Sequence, residues 1–107
     1  MTAQGHPRTR FKRAIEGRWL FHAEVAAREM DRLTLAETLE LVVLYAEVEP
    51  AKFERAAVRW HSRFTAETSP SLLESQIALA ALGDLRSGSE AAKVLLVDLV
   101  RNWRSAA

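Results

Sequence analysis

Four cations fall on one side of a single expected helix. Lys52, Arg55, Arg59 and Arg63 sit at i, i+3, i+7 and i+11, a spacing that an α-helix gathers onto one face. Phe53, Ala57, Trp60 and Phe64 interleave with them and line a second face. A helix that packs by one side and presents guanidinium groups on another has what phosphate contact requires. The turn ahead of it, Glu47-Val48-Glu49-Pro50, has the length of a helix-turn-helix joint. Arg8, Arg10, Lys12 and Arg13, followed by Arg18, add a basic N-terminal arm suited to phosphates or acidic surfaces. Against nucleic acid stand a net charge of only +1 and a stripe with no asparagine or glutamine to read adenine. Glu37, Glu40 and Glu47 are also placed to neutralise the stripe within the fold. It therefore reads either as a nucleic-acid surface or as a salt-bridged, solvated face.

Catalytic groupings are sparse. The chain has no cysteine, which removes thiolate nucleophiles, thiolate zinc sites and disulfides. His6 falls in the N-terminal tail, His22 on the flank of an apolar face, and His61 beside Trp60 at the expected edge of the core. His22 and Glu29 together do not make a metal site. Ser62 neighbours His61 in sequence, but adjacent helical residues diverge by about 100°, so they make no nucleophile–base pair. Four glycines and no phosphate-loop or dinucleotide pattern leave little to cradle a cofactor. The sequence thus points to a non-enzymatic protein with no cofactor and no metal.

A protein interface has better support. Phe21 points about 200° away from the face set by Trp19 and Met30, and Val25 lies one turn on from it. This pair seeds a second contact face, covered either by the basic segment before it or by another chain, with a homodimer one form of the latter.

The elements that position these residues announce themselves at their starts. Thr34-Leu35-Ala36-Glu37 recurs 37 residues later as Ser71-Leu72-Leu73-Glu74. In each, a hydroxyl can accept from the N3 backbone N–H while the glutamate reaches back to the cap's own N–H. The first box opens a helix to about Val48 that is apolar on nearly all sides and so belongs at the centre. Pro50 ends it and opens the helix over 51–66. The second box opens a helix over 72–83, with Leu72, Ile77, Leu79, Ala80 and Leu82 inward and Gly83 as a left-handed stop. A last helix covers about 89–104, with Trp103 inward. Ahead of both hairpins runs a lead helix from Phe11, with Trp19, Ala23, Ala26, Met30 and Leu33 on one face and Gly17 as a break, a kink or a tolerated weakness. The expectation is an all-α domain: a compact bundle of about five helices over 11–105, preceded by a flexible tail over 1–10. Tetratricopeptide spacing is absent, and two hairpins are short for a solenoid.

At 107 residues and 49% apolar content, the chain can build one core. No stretch approaches the ~18 apolar residues of a membrane span, so the expected setting is cytoplasmic with no membrane partner. Charge is blocky, basic over 1–18 and 50–66 and acidic over 19–49, the pattern of packed helices that compensate one another or of a surface that steers a partner. Twelve arginines against three lysines, with eighteen alanines, fit a GC-rich genome. Arg18-Trp19-Leu20, the run from His22 to Met30 and Ala56-Ala57-Val58-Arg59-Trp60-His61 resemble small uncharacterised helical proteins of actinobacteria. The resemblance spans about half the chain, residues 18–64, and implies origin and an all-helical fold without an activity. The best functional reading is a helical protein-interaction module, a small bacterial regulatory or accessory protein. The alternative is a nucleic-acid-binding protein that uses the cationic helix and the basic arm.

Overall fold

Thr34 and Ser71 both start helices. In the structure, a computed structural model describing residues 6–106 and side chains through 102, the Thr34 hydroxyl accepts from Glu37 N–H at 3.0 Å and Thr34 N–H donates to the Glu37 carboxylate at 2.8 Å. Ser71 and Glu74 repeat this at 3.1 and 2.8 Å. Six helices result among the described residues: α1 (Pro7–Gly17), α2 (Leu20–Glu29), α3 (Leu35–Val48), α4 (Pro50–Thr68), α5 (Leu72–Leu85) and α6 (Glu90–Ala106). No strand occurs among the described residues, so the protein is all-α. Replacing Ser71 with alanine should lower stability by about 1 kcal/mol, the usual effect of losing an N-cap. Chemical denaturation checks this.

The sixth helix arises because the lead segment breaks in two. Trp19 N–H donates to Ala14 O at 2.8 Å and Arg18 N–H to Ile15 O at 3.1 Å, the paired bonds of a Schellman C-terminus. Arg18 takes the left-handed position at φ 60°, a conformation usually given to glycine. Glycine instead stands one residue earlier, because the Trp19 indole lies over it. A Cβ on Gly17 would meet that ring at 2.7 Å. Trp19 is consequently 58% exposed, and Leu20 takes the inward place expected of it. Nor does the chain wait for Phe11 to become helical. Pro7 occupies the first helical position, and His6 Nδ1 accepts from Arg8 N–H at 3.2 Å as the N-cap. Residues 7–10 of the expected tail are therefore ordered helix, while residues 1–5 lie outside the described residues.

The helices pair in sequence as three hairpins, α1/α2, α3/α4 and α5/α6. α3 is central as expected, packing on α1, α2, α4 and α6. It serves two cores. Leu39, Val42 and Val43 enter the larger one with Phe53, Trp60, Phe64, Leu82 and Leu96. Leu44 turns the other way, into a smaller core with Phe11, Leu20, Ala23 and Met30. The molecule measures 46 × 31 × 20 Å, so its least dimension holds only about two helix diameters. Helices at the rim are therefore covered on one side alone.

α5 is such a helix, and its pattern of burial differs from expectation. Ala78, Ala81, Leu82 and Leu85 are buried, but Leu72 is 78% exposed, Leu73 65% and Leu79 51%. Ala80 also faces solvent. Gly83 does not end the helix, which continues to Leu85, and the left-handed turn falls to Gly88 at φ 82°. Gly83 thus sits in the helix interior, where glycine is about 1 kcal/mol less favourable than alanine. A Cβ there would meet no atom within 4 Å. Among the described residues, then, nothing sterically requires this glycine. The Trp103 side chain lies outside the described residues.

Candidate functional site

α4 divides its four cations into two that serve the fold and two that do not. Arg63 is tied down on three sides. It donates to Glu67 at 2.5 Å, to Thr38 Oγ1 at 2.9 Å and to Leu33 O at 2.8 Å. Lys52 reaches Glu24 at 3.2 Å and Glu49 at 3.8 Å. Arg55 and Arg59 are exposed, and among the described residues neither has a carboxylate within ion-pair distance. Together with Val58 they line a shallow depression on the outer side of α4.

The joint before α4 is not that of a helix-turn-helix. Glu49 alone links α3 to α4. Trp60 and Arg63, late in α4, bond Leu35, Leu33 and Thr38, all within or just before the first turn of α3. The two helices therefore run antiparallel along their length, whereas a recognition helix crosses its partner at roughly 90–120°.

The N-terminal cations are also largely committed. Arg8 Nε donates to Glu37 at 2.6 Å, and its Nη2 bonds Arg32 O at 2.9 Å. Arg10 pairs with Glu29 and Arg18 with Glu47 at 2.7 Å. Glu37 and Glu47 thus neutralise the N-terminal segment and not the α4 stripe. Lys12 and Arg13 are exposed without an ion pair among the described residues. The Arg8 hydrogen bond holds the Glu37 carboxyl below the usual carboxylate range against the opposing effect of burial. Glu40 is shifted up by burial, with the Glu37 charge adding to it.

Glu24, Tyr45 and Lys52 form a small polar cluster joining α2, α3 and α4. The Tyr45 hydroxyl donates to Glu24 at 2.6 Å and Lys52 Nζ does so at 3.2 Å. The Tyr45 bond, with lesser help from Lys52, lowers the Glu24 carboxyl below its ordinary value. Burial first, then the bond to Glu24, raises the Tyr45 phenol, which stays protonated and donates to Glu24.

Sequence spacing gave no sign of the pair His61 and Ser75, whose Nε2 and Oγ lie 3.1 Å apart. They come from α4 and α5, 14 residues apart, so only the packing of the two helices joins them. No carboxylate orients the imidazole among the described residues, so the third member of a hydrolytic triad is missing. The pair bridges two helices. Among the described residues, no group of three histidine, aspartate or glutamate side chains is placed to hold a metal ion. None of their helices is long and apolar enough to cross a membrane.

Exposed apolar side chains stand on several helices, Val94 and Leu95 of α6 among them, and two areas bear on an interface. Phe21 is 68% exposed and meets His22 edge-on at 5.8 Å, while Trp19 meets the same ring at 6.1 Å. Val25 is half-buried. The other is the groove between α4 and α5, floored by the buried Phe53, Ala57 and Leu82 and flanked by the exposed Val58, Leu79 and Gly83. An exposed ion pair, Arg86 to Glu54 at 3.4 Å, joins the two helices beside it. No family model, curated protein or solved structure matches this chain, so its function is argued from these surfaces.

Proposed function

We propose that this protein is a non-enzymatic helical protein-interaction module, a small regulatory or accessory protein that acts by binding another chain. The observation that carries the reading is the outward face of α5. The helix is apolar around most of its circumference yet packs by one side, leaving Leu72, Leu73 and Leu79 in solvent. A helix of that composition belongs under cover, and contiguous exposed apolar surface marks interaction sites. Phe21 and Val25, with Trp19 and His22, offer a second such area on a different hairpin. A cytoplasmic setting and an actinobacterial origin belong to the same proposal. The cysteine-free, arginine- and alanine-rich composition supports them.

Affinity capture from the native host, with co-purifying protein and nucleic acid both analysed, tests the reading. A protein retained by the wild type should be lost, by tenfold or more, with Leu72→Asp/Leu79→Asp or with Phe21→Asp. Retention that ignores both variants, or no retained protein at all, overturns it. Free Arg55 and Arg59 favour nucleic acid as the second reading. It requires duplex binding tighter than about 100 μM at physiological salt, with a salt slope that falls by about 0.9 for each arginine changed to glutamine.

A further inference from the structure

We propose that the groove between α4 and α5 receives an amphipathic helix with an acidic flank, supplied by a partner protein; the inference rests on the interaction-module reading above. The groove holds about 290 Å³, room for apolar anchor side chains. Its walls are apolar, from Phe53 and Ala57 on α4 to Leu79 and Leu82 on α5. Gly83 lies along it with open space where a side chain would be. Among the described residues nothing packs where its side chain would be, and it lets another backbone come close.

The occupant's backbone should be helical. Both walls are helices whose backbone groups bond internally, so the groove offers no edge to an added strand. An amphipathic helix satisfies its own backbone and needs only an apolar trench for its anchors. Its charge follows from the rim. Val58 and Glu54 belong both to the groove and to the outer depression that holds Arg55 and Arg59, so the groove runs into a shoulder of two arginines whose one bordering acid, Glu54, is already paired with Arg86. Those two guanidinium groups have no carboxylate partner among the described residues. Among the described residues Arg86 is held by Glu54 alone, through an exposed pair at 3.4 Å. Three arginines against one glutamate leave the rim wanting acids. A second copy docked antiparallel across the groove would instead set Arg55 and Arg59 against the same arginines of its mate. A duplex would engage the arginines and leave the apolar trench uncovered.

The test is a displayed library of helical peptides, with leucines fixed at i, i+4, i+7 and i+11 and all other positions randomised, selected on the full chain. Glutamate and aspartate should be enriched on one flank of the selected peptides. Selected peptides should lose tenfold or more in affinity with Leu79→Asp, and likewise with Gly83→Leu, which fills the open space without changing charge. Arg55→Glu/Arg59→Glu should reverse the enrichment toward lysine and arginine. Circular dichroism confirms that the variants remain helical. Neutral or basic enrichment on the wild type, no enrichment, or binding indifferent to Leu79→Asp overturns the inference. So does a wild-type dimer that Leu79→Asp dissolves, or a duplex that displaces the peptides from Arg55 and Arg59. Peptides lost with Phe21→Asp alone would sink this groove and leave the interaction-module reading standing, since native-host capture tests that reading separately.

Discussion

Trp60→Ala should destabilise the protein by about 3–5 kcal/mol, the range for deleting a large buried side chain. Trp60 is fully buried, stacks on Phe64 with ring centroids 5.2 Å apart, and lies in the larger core. Its indole N–H also donates to Leu35 O at 3.0 Å, a bond from α4 to the first residue of α3. Truncation therefore opens a cavity and also removes a buried hydrogen bond, worth about 1 kcal/mol net because the Leu35 carbonyl keeps its bond within α3. A domain of this size has a total stability of about 5–15 kcal/mol, so the variant should be near its threshold at room temperature. Trp60→Phe separates the two effects, since it keeps most of the ring volume and removes only the donor. Urea titration of wild type and both variants gives the ordering. A Trp60→Ala protein within about 1 kcal/mol of wild type, far below the cavity range, would falsify the assignment of this residue to the core.

Glu37→Gln should cost about 1.5–3 kcal/mol at neutral pH, the range for hydrogen bonds to charged groups. Glu37 closes the cap of α3 and at the same time holds Arg8 of α1 at 2.6 and 3.1 Å. Arg8 is open to water, and solvent screening keeps the effect toward the lower end. The companion box at Ser71 and Glu74 has no arginine on it, so a Glu74→Gln change should matter less. The pH dependence has a definite sign. Glu37 is held below its unfolded value, chiefly by the Arg8 hydrogen bond. Its contribution is complete above the unfolded carboxylate range, about pH 4–5, and is lost as pH falls through the folded value. The stability gap between wild type and Glu37→Gln should therefore be full near pH 7 and shrink as acid is added. Removing the Glu37 charge also relieves Glu40, whose carboxyl it pushes up, and this offsets part of the loss. A gap that widens in acid would contradict the role given to Arg8.

The residues that were legible in the sequence are those whose chemistry is local. A hydroxyl three residues ahead of a glutamate specifies a cap without help from elsewhere, and both boxes closed at Thr34 and Ser71. Pro50 carries its own backbone geometry and opened α4 as expected. α3, apolar on nearly all sides, had to be central. The same logic failed for α5, because composition says that a helix prefers cover but not whether the chain has enough other helices to provide it. Leu72 and Leu79 were placed inward on that ground and stand in solvent. At Gly17 the sequence showed a weak point. The break itself depended on the Trp19 ring folding back over it and on Arg18 accepting a left-handed backbone. On α4 the spacing identified which residues share a side. It could not show that Arg63 would be taken by Thr38 and Leu33, or that Glu37 would choose Arg8, since those pairs span 25 to 30 residues of chain.

The seam between the two cores differs in kind from the cores themselves. On the α3 side Leu44 alone is fully buried in the smaller core, with Leu41 and Tyr45 packed at its edge. The rest of the seam is polar: Arg8 with Glu37, Arg18 with Glu47, and Glu24 with Tyr45 and Lys52. Parting the seam uncovers Leu44 and the side chains packed on it, while the other contacts that break are polar ones that water can replace. α1 and α2 should thus behave as a separable cooperative unit, a foldon, with a lower opening free energy than α3 to α6. Their backbone amides should exchange with solvent while the four-helix remainder is still folded, which native-state hydrogen exchange checks.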